Sequence, residues 1–194
     1  MLLKFLLILS INVCGSYKIL VFNPKMGYSH MNFLGKVADA LVDAGHEVVS
    51  VILLIDSSTN SSTNIAEKKI LIGVLEHKEL LKQLKAEKFD VGIAELFDFT
   101  GMVVFEAIGL KNIIGAHSSA CMLEGTAYAI GQPVIPSFMP ASLGVTDDSS
   151  SLATRATNVL FTFLSWYFQT SIAASADSVM HEKLGSSATP IWVG

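Results

Sequence analysis

An α/β fold, with a Rossmann-like parallel sheet and helices on both faces, is what this 194-residue sequence predicts. Three observations carry that expectation. Short apolar runs recur at residues 17–21, 47–54, 89–94 and 112–116, nearly continuous as in strands covered on both sides. A polar turn and then apolar residues at helical spacing follow the runs, the alternation of βαβ units. Apolar residues make up 51% of the chain and charged ones only 15%, so there is ample material for a core.

The first strand leads into Phe22-Asn23-Pro24-Lys25-Met26-Gly27-Tyr28-Ser29-His30, around which the rest is organised. Pro24 and Gly27 break the strand, and Met31, Phe33, Leu34, Val37, Ala38 and Leu41 then recur on one helical face. Ser29 is a good N-cap, which puts His30 at the first helical position and at the carboxyl edge of a parallel sheet. Ligands bind at that edge in open α/β folds. An imidazole there can act as a base near neutral pH once an acid orients it, or it can cap the helix and do no chemistry; position alone weighs the two equally. Gly45 ends the helix, and residues 47–54 form the second strand. Residues 57–64 are a polar loop, and 65–88 read as helix, with Leu71, Val74, Leu75, Leu80, Leu81 and Leu84 on the apolar side.

The third strand runs directly into Glu95-Leu96-Phe97-Asp98, so two carboxylates stand where His30 also belongs. Either can receive the imidazole Nδ1 proton. Asp98 has a simpler alternative, capping a helix over 99–108 that Gly109 stops, whereas Glu95 has none. The fourth strand ends in His117-Ser118-Ser119 on the same sheet edge, where these residues line a pocket or the serines cap a helix over 120–130. Pro133, Pro136 and Pro140 exclude regular structure from 131–140. From 152 to 184 the pattern is a long helix with Val159, Leu160, Phe163, Leu164, Tyr167, Phe168 and Ile172 on one face. Asn158, Thr162, Ser165, Gln169 and Arg155 argue against a membrane span. The expectation is an amphipathic helix packed on its own domain, with a helix lying on the bilayer as the alternative.

Thirteen basic against seventeen acidic residues, with no basic block, leave nothing to attract nucleic acid. Cys14 and Cys121 cannot make a disulfide framework. No strand-to-helix turn has the Gly-rich composition of a phosphate or flavin loop, which disfavours a free-standing flavodoxin-like domain. Lys4, the short apolar region 5–13 and the small residues Cys14-Gly15-Ser16 read as a secretory signal peptide over 1–16, leaving 17–194 as the domain. Asn60-Ser61-Ser62 is a glycosylation acceptor that suits that route.

The leader, Asn23-Pro24 through Ser29-His30-Met31, Leu41-Val42-Asp43-Ala44-Gly45-His46-Glu47-Val48, Lys88-Phe89-Asp90-Val91-Gly92-Ile93-Ala94-Glu95, and Gly131-Gln132-Pro133 through Pro140 occur in an order and spacing that resemble the amino-terminal half of animal UDP-glucuronosyltransferases, most closely those of nematodes. The resemblance implies the acceptor-binding lobe of a two-lobed GT-B glycosyltransferase. It implies inverting transfer from a UDP-sugar, first of all UDP-glucuronic acid, to a small lipophilic acceptor, with no bound cofactor or metal. By the same resemblance His30 is the catalytic base and Glu95 the carboxylate that orients it, where mammalian members usually carry aspartate; Asp98 stays the alternative acid. Tyr28, Phe97, His117 and Ser118 are expected in an apolar acceptor pocket, with the loops at 96–105 and 131–140 supplying its walls. The family resemblance further implies residence in the lumen or membrane of the endoplasmic reticulum, a membrane anchor in the full-length form, and homo- or hetero-oligomers with other transferases. The stretch between Leu54 and Ile70 is tens of residues shorter than the family's, and the UDP-sugar lobe is expected to be absent from this chain. A non-catalytic module that binds apolar molecules or pairs with full-length transferases is the alternative.

Overall fold

Strand β1 (Lys18–Pro24) takes the middle of the sheet, and Leu20 and Val21 within it are wholly buried. In the computed structural model, which describes residues 15–24, 27–53, 63–119, 123–137, 139–142, 144 and 151–191, it is flanked by β2 (Glu47–Leu53) and β3 (Val91–Glu95). Strand β4 (Ile113–Ala116) completes the order β2-β1-β3-β4, with every pairing parallel. The proposed leader up to residue 14, Asn60 and both cysteines lie outside the described residues. Residues alternate across a strand, so Ile19, Val21 and Ile93 face helix α1 (Tyr28–Asp43), meeting its Leu34 and Ala38. Leu20, Phe22 and Ala94 face the other way, into a core shared with Val74 of α2 (Thr63–Glu76), Leu84 of α3 (Lys78–Ala86) and Val104, Phe105 and Ile108 of α4 (Thr100–Ile108). Helices thus cover both faces, the Rossmann-like arrangement expected of the acceptor-side lobe of a GT-B enzyme.

The approach of α4 to the sheet depends on Gly101. A Cβ there would stand 2.4 Å from the Ala94 Cβ and 3.1 Å from that of Phe22, both fixed to the central strands. Gly101→Ala is therefore expected to destabilise the fold by about 1–3 kcal/mol through overpacking. Gly73→Ala, in an exposed helical position with nothing within 4 Å, should be neutral or stabilising. Urea midpoints of the two variants check this, and equal midpoints would refute the packing argument.

Several elements differ from expectation for identifiable reasons. The helix expected over 65–88 is two helices, because the His77 ring turns back and accepts from Leu80 N at 3.3 Å, capping α3. Strand β2 is apolar but lies at the sheet edge among the described strands, leaving Ile52 half exposed. The expected helix over 120–130 is described as the shorter α5 (Glu124–Ala129).

Helix α6 (Leu152–Leu184) departs most. Its second half packs as an apolar face, with Ile172, Ala173, Ala176, Val179 and Met180 against Leu71, Leu75, Phe99 and Val103. In its first half the expected apolar face, Val159, Leu160, Phe163, Leu164 and Tyr167, is exposed, while Asn158, Ser165 and Gln169 are buried. The inward residues meet polar groups of α5: the Ser165 hydroxyl donates to Glu124, Thr126 N donates to Gln169 Oε1 at 3.2 Å, and Gln169 Nε2 donates to Thr126 Oγ1 at 3.3 Å. Hydrogen-bond satisfaction there outweighs the apolar stripe, because a buried carboxylate left unbonded costs more than exposed Leu and Phe. No helix among the described residues is long and apolar enough to cross a membrane.

Candidate active site

The histidine sits where β1 hands over to α1. Gly27 is the N-cap, in extended backbone with φ −167°, and the helix begins at Tyr28, so Ser29 does not cap it and His30 is its third residue. Asn23, at the end of β1, is buried and donates from Nδ2 to Met31 O at 3.1 Å, tying the strand end to the first turn of the helix. That bond fixes the turn from which His30 projects. Its side chain is 24% exposed, so its ring can be reached from solvent.

Parallel pairing brings the acid to it. Phe22 is level with Ala94 in the β1–β3 register, so the next residues, Asn23 and Glu95, end their strands side by side. The Glu95 side chain is 1% exposed and its Oε1 lies 2.7 Å from His30 Nδ1. Strand β4 adds a third group. Glu95 is level with Ala116, and two residues on the Ser118 backbone N donates to the same Oε1 at 3.3 Å, while the Ser118 hydroxyl donates to it and lies 2.9 Å from His30 Nδ1. Glu95 Oε2 is buried without a hydrogen-bond partner among the described residues.

Of the two candidate acids, the structure places Glu95 and not Asp98 against the imidazole. Asp98 Oδ1 accepts from Thr100 N at 3.0 Å, an Asx-type turn that starts α4 beneath Phe99, whose φ of 56° lies in the left-handed region. Burial pushes the Asp98 carboxyl up to about 6, against the opposing bonds from Thr100; the neighbouring Glu95 raises it further and His30 lowers it. A carboxyl whose folded pKa is raised takes up a proton on folding between its unfolded value, near 4, and 6. Stability therefore falls as pH rises through that window and stays low above it. Each pH unit in the window is worth about 1.4 kcal/mol, so Asp98→Asn, which keeps the acceptor for Thr100, is expected to stabilise by about 2–3 kcal/mol at pH 7.5 and by almost nothing at pH 4. Urea unfolding at the two pH values measures this, and an equal effect at both would refute it.

The expected pocket residues divide. The Phe97 ring meets the His30 ring edge-on, with centroids 5.4 Å apart, and so covers one side of the imidazole. His117 is half-buried with its Nε2 unpartnered among the described residues, and burial pushes its pKa down, opposed by the charge of Glu95. Tyr28 is 81% exposed. Ser118 bonds to the dyad itself. The Pro-rich segment does form an apolar wall: Pro133, Val134, Met139 and Pro140 enclose, with Ala127, Glu124 and Thr162, a cavity of about 330 Å³. Its described lining does not include His30, Phe97 or Ser118. Ser118 as a bonding partner of both His30 and Glu95 was not readable from the sequence, although its place just past a strand end was the signal.

The fold is a Rossmann-like domain with an acid-bonded histidine at the carboxyl edge of its parallel sheet, an arrangement able to accept a proton. Three curated proteins of Caenorhabditis elegans are similar to the chain, each named "Putative UDP-glucuronosyltransferase". They are ugt-55, 26% identical over 61% of this chain and 32% of its own; ugt-48, 28% identical over 72% and 36%; and ugt-46, 41% identical over 34% and 13%. These matches support a relationship of the chain to the UDP-glucuronosyltransferase family. The chain spans about a third of the length of the first two. Their alignments extend over 166 and 188 residues but take up only 61% and 72% of this 194-residue chain, so each relative carries tens of residues in that stretch with no counterpart here. No family profile and no solved structure matches the chain.

Proposed function

We propose that this chain is the acceptor-activating part of a UDP-glycosyltransferase that moves a sugar, first of all glucuronic acid, from UDP to the hydroxyl of a small lipophilic molecule. The observation that carries the reading is the 2.7 Å contact between His30 Nδ1 and Glu95 Oε1 at the sheet edge. With its Nδ1 proton directed at the carboxylate, the ring keeps its Nε2 lone pair for the acceptor. The acceptor O–H proton passes to Nε2 as its oxygen bonds to the anomeric carbon, the bond from that carbon to the UDP oxygen breaks with its electron pair on UDP, and the configuration inverts. Glu95 offsets the charge of the imidazolium that forms. This reading calls on no resident cofactor or metal; the UDP-sugar is a co-substrate. Residues 17–194 are the acceptor-binding domain under this reading. A cleaved leader over 1–16, glycosylation of Asn60, residence in the endoplasmic reticulum, membrane association of the full-length form and association with other transferases belong to the same proposal.

The cavity behind Pro133 and Met139 favours a second reading, a module that holds apolar molecules without transferring sugar to them. One experiment separates the two. The chain, joined to a UDP-sugar-binding lobe of a related transferase, is incubated with UDP-glucuronic acid and a lipophilic phenol, with product followed by mass spectrometry and phenol binding by fluorescence. Glucuronide formed by the native chain and lost in His30→Ala supports transfer. Phenol binding with no product in either form overturns it in favour of the binding module.

A further inference from the structure

We infer that Ser118 is a positioning residue for the His30–Glu95 pair, rather than a wall of the acceptor pocket. The inference rests on His30 being the base, as proposed above. Its ground is proton accounting at one carboxylate oxygen. Glu95 Oε1 receives the Ser118 hydroxyl proton, the Ser118 backbone N–H at 3.3 Å and His30 Nδ1 at 2.7 Å. A serine hydroxyl has a single proton. That proton is committed to Glu95, so towards His30 Nδ1, 2.9 Å away, the Ser118 oxygen can only accept. Both neighbours of Nδ1 are then acceptors, and the ring must carry its proton on Nδ1 and its lone pair on Nε2. A carboxylate alone would leave the ring free to pivot about one hydrogen bond. The Ser118 oxygen adds a second point of attachment at the same nitrogen, and its two donors hold the carboxylate that supplies the first. The connection comes from topology: β4 lies beside β3 with Ala116 level with Glu95, which delivers residue 118 to the carboxylate as the chain leaves the sheet.

Ser118→Ala, Ser118→Thr and the native chain are compared by two independent readouts. The first is the ¹⁵N spectrum of the His30 ring, which distinguishes the Nδ1–H from the Nε2–H tautomer and needs no turnover. All three are expected to show Nδ1–H, because Glu95 still accepts there, but in Ser118→Ala the Nδ1 proton, held by the carboxylate alone, is expected to exchange with solvent faster than in the native chain or Ser118→Thr. The second is steady-state transfer to a lipophilic phenol: Ser118→Ala is expected to lower kcat about 10- to 100-fold with acceptor KM within about threefold, and Ser118→Thr to restore most of the loss. A raised KM with unchanged kcat, or Nδ1–H exchange in Ser118→Ala equal to that of the native chain, would overturn the inference and return Ser118 to the pocket wall. If the chain joined to a UDP-sugar-binding lobe transfers no sugar, the functional proposal fails on that result, and the ¹⁵N spectra still decide the role of Ser118.

Discussion

His30→Ala is expected to lower kcat/KM for sugar transfer by about 10²- to 10⁴-fold, the range that one positioned acid–base group contributes. Acceptor binding should change far less, because the ring meets the acceptor at one reacting atom while the pocket holds its apolar body. The size of the loss should also depend on the acceptor. An aliphatic alcohol holds its proton tightly at neutral pH and needs the base most. A nitrophenol is already largely ionised at that pH and needs it least, so the loss should shrink steadily from alcohols through phenols to nitrophenols. A side chain that merely shapes the pocket would produce a uniform loss with no such trend. Kinetics of native and variant chains over a graded phenol series make the comparison, and a flat series would remove His30 from the role of base. The ring is only 24% exposed and bonds to the buried Glu95 carboxylate and to Ser118, so a urea midpoint measured beside the kinetics separates a loss of fold from a loss of base.

The pairing of His30 with a carboxylate is legible because His30 lies in the first turn of the helix after β1 and Glu95 closes β3, and parallel strands end on the same edge. Which carboxylate was not legible. Glu95 and Asp98 are three residues apart, and their choice depends on β1 lying directly beside β3, with Phe22 level with Ala94. Strand order is a tertiary property that the periodicity of either strand alone does not contain. The position of Ser118 at that edge is legible for the same reason, but its bonds to His30 and Glu95 depend on β4 pairing with β3. The failure at α6 was of another kind. Apolar spacing correctly marked Ile172 as inward, yet in the first half it marked Phe163 and Tyr167, which are exposed, while Ser165 and Gln169 point into the protein. A hydrophobic pattern assumes an apolar partner, and the partner here is Glu124 and the Thr126 backbone of α5. The split at His77 was likewise invisible to spacing, because a single imidazole cap interrupts the helix without changing which residues are apolar.

Glu95→Gln is expected to lower kcat about 10²- to 10³-fold while leaving the His30 tautomer as it is. Two distinct services are at stake, orientation and charge, and the geometry separates them. Three donors converge on Oε1, from His30 Nδ1, Ser118 N and the Ser118 hydroxyl. A glutamine must offer its carbonyl oxygen to all three, which forces its NH₂ into the place of Oε2, a buried site with no acceptor among the described residues. The amide therefore cannot flip to donate to Nδ1, and the ring stays oriented; in hydrolytic triads, an amide in place of the acid imposes the wrong tautomer. What the variant loses is the negative charge beside the imidazolium. At an effective dielectric near 20, two charges about 4 Å apart interact by roughly 4 kcal/mol, an upper bound here because the ring is partly exposed, and about three decades in rate. Charge is thus the larger service and orientation the smaller one, which is why Ser118→Ala should cost less than Glu95→Gln. The ¹⁵N spectrum of the variant and its kcat test both halves together. A kcat within about threefold of native would show that the carboxylate acts by orientation alone, and an Nε2–H ring would show that Ser118 does not hold the amide in place.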